Sequence, residues 1–516
     1  MHKLAATVLA VLSALSGSTT IAAATPATTP IVRTDEGALS GTASGAMNEY
    51  LGIPYAAPPI GALRWQPPAP ATAWHGVRDA TRFGANCAQP ASPYGIASTS
   101  EDCLFLNVYS PRGVPAHTRL PVMMWIHGGA FSYGESNDFA PAPLVAHGIV
   151  VVTINYRLGA LGCLADATRG EHGVGGRRAS GGDYGLMDQQ AALRWVQANI
   201  GGFGGDRREV TFAGESAGGL SVLAQLASPG ARGLFSRAIV ESGTYQLDQA
   251  TLAQAETSGA AFAAKAGCAD NSAECLRALP VSTILADANQ AGYRPNVDEA
   301  VLPWTLRQAF DSGTFAHVPV MLGTNRNEYS LFVAQDQFLE HLPPVTATNY
   351  VPYIASTLGV SEQAATAIAA QYPVTAYASP QLALTAVGTD SVFACNAQTA
   401  DAALSRYTPV YGYEFSDQNA PQRYLPPDGF PYGASHTSEL SYLFDLRAPI
   451  PAHLTSAQQI LAAQMQRDWT SFVKLARPWP AYFTGTHRLL SLNTPDPTIE
   501  TNFAAEHHCA FWNAAE

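Results

Sequence analysis

Charge is scarce in this 516-residue sequence: only 13% of residues are charged, and no basic run occurs anywhere. With a formal charge of −12, the chain would be repelled by nucleic acid and by anionic membrane surfaces, so neither is an expected partner. Beyond the N-terminus no apolar stretch is long and unbroken enough to span a bilayer. There is no internal repeat, no clean linker, and no low-complexity tract apart from the Ala/Thr-rich residues 22–29. Hydrophobic residues make up 47% of the chain, with 44 glycines and 36 prolines. That composition excludes a disordered protein and suits a compact, loop-rich one.

The N-terminus is the one place with a long apolar run. His2 and Lys3 precede a stretch from Leu4 to Leu15, and small residues follow as far as Ala22-Ala23-Ala24. This reads as a secretory signal over residues 1–24, cut after Ala24, leaving a single domain over residues 25–516 that is secreted or periplasmic. Seven cysteines in an exported chain point to disulfides. Cys87 with Cys103, and Cys268 with Cys275, have the spacing of local loops, and Cys395 and Cys509 are left as a candidate long-range pair. Cys163 lies in an apolar stretch and reads as a buried free thiol, with nothing nearby to lower its pKa. His507-His508 beside Cys509 could suggest a metal, but adjacent ring vectors without further ligands do not make a site, so no metal or cofactor is expected.

The organising feature is Gly214-Glu215-Ser216-Ala217-Gly218. A β-branched and aromatic run, Val210 to Ala213, leads into it, and a helix-like stretch, Gly219 to Ala227, leads out. Strand, sharp turn and helix hold a serine hydroxyl out at the end of a sheet, over a helix N-terminus. Further strands are predicted over residues 104–109, 122–126, 149–155, 237–240, 318–322 and 410–415. A helix is predicted over residues 186–200, where apolar residues recur at helical spacing. Buried strands alternating with helices mean an α/β fold, with a largely parallel sheet covered on both faces. Residues 250–400 read as a helical, alanine-rich insertion over the active-site face.

A serine hydroxyl needs a base, an acid to orient that base, and donors for the oxyanion. In open sheets of this kind the order along the chain is serine, acid, histidine. His436 is the base candidate, on a loop of small residues before a predicted helix. Glu328 is the acid candidate, just past the predicted strand 318–322, and Asp390 is its competitor. Gly128 and Gly129 follow a buried strand, and with the N–H of Ala217 they would form an oxyanion hole.

These residues resemble the type-B carboxylesterase/lipase family, the cholinesterase-like branch of the α/β-hydrolases. The resemblance runs from about residue 30 to the C-terminus. It is carried by Tyr50-Leu51-Gly52-Ile53-Pro54-Tyr55-Ala56, Glu101-Asp102-Cys103-Leu104-Phe105-Leu106-Asn107-Val108, His127-Gly128-Gly129, Asn155-Tyr156-Arg157-Leu158-Gly159, Asp188-Gln189, Phe203-Gly204-Gly205-Asp206, the elbow, Gly323-Thr324-Asn325 with Glu328, and Gly433-Ala434 with His436 and Glu439. It implies an α/β-hydrolase fold with large loop and helical insertions, and a small-molecule ester as substrate. It also implies Ser216 as nucleophile, Glu328 as acid, His436 as base, an oxyanion hole from Gly128, Gly129 and Ala217, and disulfides Cys87–Cys103, Cys268–Cys275 and Cys395–Cys509. Glu215 stands at a position that is commonly acidic in the family and faces the site, where a carboxylate would favour a protonated His436. The chain departs from the family at Asp183, where Asn is usual, and at Cys163, where Phe or Leu is usual. The loop between Cys87 and Cys103 has Tyr94 as its only aromatic and no tryptophan, which argues against a choline ester. A non-catalytic binding or adhesion protein on the same fold, and an amidase using the same groups, are the alternative readings.

Overall fold

The computed structural model describes residues 29–115, 117–165, 181–287, 292–482 and 488–515. The proposed signal segment lies outside the described residues. Eleven strands form the central sheet: β1 (Thr42–Ser44), β2 (Met47–Pro54), β3 (Phe105–Pro111), β4 (Leu120–Ile126), β5 (Val150–Ile154), β6 (Gly205–Glu215), β7 (Arg237–Glu241), β8 (Val320–Asn325), β9 (Val410–Phe415), β10 (Leu489–Leu492) and β11 (Thr498–Glu500). Their spatial order is β11-β10-β9-β8-β7-β6-β4-β5-β3-β2-β1. From β5 through β10 the neighbours are parallel, whereas β1, β2, β3 and β11 pair antiparallel at the two edges. This is the mostly parallel, helix-flanked sheet that the sequence pattern predicts. The edge strands β1, β2, β10 and β11 are the ones it did not delimit.

The sheet is buried on both faces because its central strands carry runs of successive apolar residues, and the period of two deals successive side chains to opposite sides. In β4, Val122, Met124 and Ile126 join one core, while Met123 and Trp125 join the other. Helices α1 (Tyr184–Asn199) and α2 (Ala217–Ala227) cover the first face through Leu193, Val196, Leu220 and Leu223. Helix α3 (Ser456–Leu475) covers the second through Leu461, Met465, Trp469 and Phe472. A side chain of this size contributes roughly 1.5–3 kcal/mol when fully buried, so the strand order is strongly specified. Thr455 starts α3 with a reciprocal capping box to Gln458.

Residues 250–400 do not form one insertion. Strand β8 divides them, and each part has its own core. Helices Leu252–Lys265 and Ala273–Ala278 pack around Phe262, Leu276, Leu161 and Trp65. Helices Tyr350–Leu358, Glu362–Gln371 and Pro380–Gly388 pack around Ile354, Ile368, Tyr372 and Leu384. Disulfides join Cys87 to Cys103, Cys268 to Cys275 and Cys395 to Cys509, and Cys163 is a buried free thiol. No helix among the described residues is long and apolar enough to cross a membrane.

Candidate active site

Strand β6 ends at Glu215 and α2 begins at Ala217, so the chain reverses within one residue. That residue, Ser216, has φ 54° and ψ −119°, a conformation that side-chain-bearing residues rarely adopt. The glycines around it are required by contact. A Cβ on Gly218 would lie 2.0 Å from the carbonyl oxygen of Ile126, and one on Gly214 would lie 2.6 Å from the backbone of Gly218. The Ser216 N–H donates to the Glu241 carbonyl at 2.9 Å, pinning the turn to β7. Ser216 is half-buried among buried neighbours, and its Oγ makes no hydrogen bond to protein among the described residues.

His436 and Glu328 meet across 108 residues of sequence, with Nδ1 of the ring 2.6 Å from Glu328 Oε2. Glu328 follows β8 and is fully buried. Its other oxygen, Oε1, accepts from Ser242 Oγ at 2.6 Å, Thr324 Oγ1 at 2.7 Å and the Asn325 N–H at 2.7 Å. With Oε1 saturated by three donors, Oε2 is left to accept from the imidazole. Nδ1 therefore carries the proton, and Nε2 is the free base. The histidine loop is stitched to this turn. Asn327 N–H donates to the Ala434 carbonyl at 2.9 Å, and Ala434 N–H donates back to Asn327 Oδ1 at 3.1 Å. Asn325 Nδ2 donates to the Ser435 carbonyl at 2.8 Å. Gly433, at φ 63°, makes room for Asn327, whose Oδ1 a Cβ would meet at 2.4 Å. Phe332 and Phe393 pack on the imidazole, each ring centroid 5.2 Å away.

Glu215 is also brought to His436, with Oε1 3.2 Å from Nε2. Hydrogen-bond alignment is lacking there, and Oε1 has no hydrogen-bond partner among the described residues. Burial, reinforced by Glu328 and Glu241, pushes the Glu215 carboxyl well above the usual carboxylate range. Glu241 is pushed up to about 8 by burial, although Trp469 Nε1 donates to it at 2.7 Å. Burial and the same neighbours raise Glu439 as well. Asp390 does not reach His436. It faces His507, with Oδ1 2.6 Å from Nδ1, so the competitor for the acid position is committed elsewhere.

Gly128 is buried against the elbow. A Cβ there would meet Glu215 Oε2 at 2.7 Å and Ser216 Cβ at 2.9 Å. The loop then turns through Gly129 at φ 98°, Ala130 at φ 54° and Phe131 at φ 60°. Among the described residues, the N–H groups of Gly128, Gly129, Ala130 and Ala217 have no acceptor. Ala130, half-buried, follows the predicted glycine pair and presents its N–H on the same loop. Tyr94 lies against Tyr424, with centroids 5.3 Å apart. The two tyrosines share the lining of a small cavity of about 30 Å³ with Gly128, Gly129, Glu135, Asp138 and Glu215. Of the departures, Asp183 is buried and accepts from the Asn296 N–H at 3.1 Å, and burial pushes the Cys163 thiol up. Among the described residues, no group of three or more His, Cys, Asp or Glu side chains could hold a metal ion.

The carboxylesterase family model matches residues 28–512. The chain is 34% identical over 506 residues to a para-nitrobenzyl esterase of Bacillus subtilis (strain 168), covering 92% of this chain and 97% of that protein. It is 34% identical over 495 residues to a fumonisin B1 esterase of Sphingopyxis macrogoltabida, covering 90% and 87%. It is 32% identical over 510 residues to a human cocaine esterase, covering 92% and 88%. A sheet with a serine elbow at the end of a central strand, and a family match along nearly its whole length, establish that this chain belongs to the carboxylesterase family and is a carboxylic ester hydrolase.

Proposed function

We propose that the chain hydrolyses esters through an acyl-enzyme, with Ser216 as nucleophile, His436 as general base and Glu328 as the acid that orients it. The observation that carries this reading is the 2.6 Å contact from His436 Nδ1 to a Glu328 carboxylate whose other oxygen is fully engaged. It fixes the tautomer and turns Nε2 into the proton acceptor. Nε2 takes the Ser216 proton as Oγ attacks the ester carbonyl. The oxyanion is stabilised by N–H groups of the loop Gly128, Gly129 and Ala130 and by Ala217, at the start of α2. The imidazolium hands its proton to the departing alcohol. Water, deprotonated by the same nitrogen, then releases the acid.

The relatives are named as esterases of para-nitrobenzyl, fumonisin B1 and cocaine. A small-molecule carboxylic ester is accordingly the substrate class. The loop between Cys87 and Cys103, with Tyr94 as its only aromatic and no tryptophan, argues against choline-ester recognition. Export after cleavage at Ala24, as one catalytic domain over residues 25–516, fits the three disulfides. The test is hydrolysis of p-nitrophenyl esters of increasing acyl length by the wild type and by Ser216→Ala. The wild type should turn over and the variant should not. Retention of near-full activity by Ser216→Ala would remove the serine from its role. Release of p-nitroaniline from the matching amides at a comparable rate would establish the amidase reading instead.

A further inference from the structure

A second histidine lies behind the site. His507 is buried between helix Phe503–Glu506 and helix Cys509–Ala515, beside the Cys395–Cys509 disulfide. Its Nδ1 is 2.6 Å from Asp390 Oδ1, and its Nε2 is 2.7 Å from Glu414 Oε1. A neutral imidazole has one N–H, so it could donate to only one of these carboxylates. Satisfying both takes two ring protons, and hence an imidazolium.

Each carboxylate continues to the catalytic centre. Glu414, on β9, accepts from Arg326 Nη1 at 3.0 Å and from Ser416 Oγ at 2.8 Å. Arg326 is two residues before Glu328, and its N–H donates to the Phe415 carbonyl at 2.9 Å. Asp390 sits in a π-helical turn, Thr389–Ala394, and also accepts from Tyr372 OH at 2.8 Å. That turn carries Phe393, which packs on the His436 ring, and Thr389, whose Oγ1 accepts from the N–H of Tyr329 at 3.1 Å, the residue after Glu328. One arm thus reaches the start of the Glu328 turn, and the other reaches its end and the face of the base. A cleft of about 440 Å³ lies beside these arms, lined by Arg326, Asn327, Asp390, Gly433, Glu506 and His507.

We propose that His507 is a positioning residue for ester hydrolysis, a buried imidazolium that clamps Asp390 and Glu414 and so fixes Glu328 and Phe393 around His436. The proposal rests on the assignment of Ser216, Glu328 and His436 given above. The charged and titratable groups around the ring are Asp390 on the π-helical turn, Glu414 on β9, Arg326 on the turn after β8, Glu500 on β11, and Glu506 and His508 beside it in the chain. Burial opposes the charge, yet the two carboxylates raise the imidazole to about 10.

The experiment compares wild type, His507→Gln and Glu414→Gln by kcat and KM on p-nitrophenyl acetate, by the pH dependence of kcat/KM, and by melting temperature. Labelling of Ser216 by an organophosphonate ester is followed in the same samples. His507→Gln should lower kcat about tenfold or more at a temperature where it is fully folded, leave KM within about twofold, and move the acidic limb of the pH profile, because the base is no longer held in one geometry. Glu414→Gln keeps the shape and its hydrogen bonds to Arg326 and Ser416 while removing one charge, so it should fold and give a smaller loss in the same direction. A lower melting temperature with unchanged kcat and an unchanged acidic limb in both variants would overturn the proposal and leave His507 a purely structural residue. If His507→Gln does not fold, an unchanged kcat and limb in Glu414→Gln overturns it alone. Failure of the underlying assignment is distinguishable, since Ser216→Ala would then remain active and resist no label that the wild type accepts.

Discussion

Two histidines in this molecule, His436 and His507, have the same immediate surroundings in outline and differ at one ring nitrogen. Each is about 4% exposed, each places Nδ1 2.6 Å from a carboxylate, and each has a second carboxylate beside Nε2. They part at that second nitrogen. At His507 the Nε2 contact is a hydrogen bond of 2.7 Å to Glu414, and no ring atom is left to do chemistry. At His436 the neighbour is Glu215 at 3.2 Å, out of alignment, and Nε2 remains open beside a serine turn. A buried His between two acids is therefore not in itself a catalytic device. In the mechanism proposed above, the chemistry comes from the one lone pair that the protein leaves unsatisfied.

The largest effect expected on that comparison is at the group that makes the difference useful. Ser216→Ala removes only a hydroxyl from a half-buried turn, so folding should survive while kcat falls by roughly 10⁶-fold, measured on a short-chain chromogenic ester. Next comes an exchange of the two acids. Glu328→Gln should cost on the order of 10³–10⁴ in kcat/KM, because an amide cannot hold the tautomer or stabilise the imidazolium. Asp390→Asn, acting at the other histidine, should cost about tenfold. Measured on one ester, the reverse ranking would transfer the acid role to Asp390.

The elbow was legible in the sequence because its steric demand is local. A turn that brings residue 218 against the Ile126 carbonyl leaves room only for glycine, and the glycines sit two residues from the serine. Glu328 was legible because carboxylates past the C-terminal end of a parallel strand collect at the site, and β8 was visible as an apolar run. The partner of Asp390 was not legible. Asp390 and His507 are 117 residues apart, brought together by a π-helical turn and a C-terminal segment whose pairing no short pattern encodes. Strands β10 and β11 are short, and pairing with their neighbours, not periodicity, makes them strands. The helical stretch 250–400 looked continuous in composition, yet β8 splits it, because alanine-rich helices share a composition whichever core they join.

A smaller effect separates the charge states of the acid beside His436. Sequence reasoning expects Glu215 as a carboxylate that supports the imidazolium. Its burial beside Glu328 and Glu241 favours the neutral acid instead. An amide of the same shape then changes little: Glu215→Gln should keep kcat within about threefold and leave the acidic limb of kcat/KM in place. A downward shift of that limb would show that a negative charge stood there in the free enzyme.

The smallest effect is thermodynamic and isolates His507. Its imidazole is raised from an ordinary 6.5 to about 10 in the folded chain by Asp390 and Glu414. A raised base contributes stability that is fully present below about pH 6.5 and is lost as pH climbs through the folded value near 10. Glu414 is shifted the other way, below its ordinary 4.5, with the His507 hydrogen bond opposing its burial. Its share is present above about pH 4.5 and is lost as pH falls through the depressed value. The pairing is thus complete between about pH 4.5 and 6.5 and erodes on both sides. Other buried acids also titrate as pH rises, Asp138 and Glu241 each being held near 8, so the melting curve of the wild type alone cannot single out this histidine. The difference between wild type and His507→Gln cancels those two acids, which are common to both, and leaves His507 with Glu500, held near 7 and lowered by the His507 charge, as the groups that shape the gap. The melting-temperature gap should be widest near pH 6 and should narrow steadily toward pH 10. A gap that stays constant across that range would mean that His507 is neutral in the folded protein, and that the clamp on Asp390 and Glu414 carries no charge.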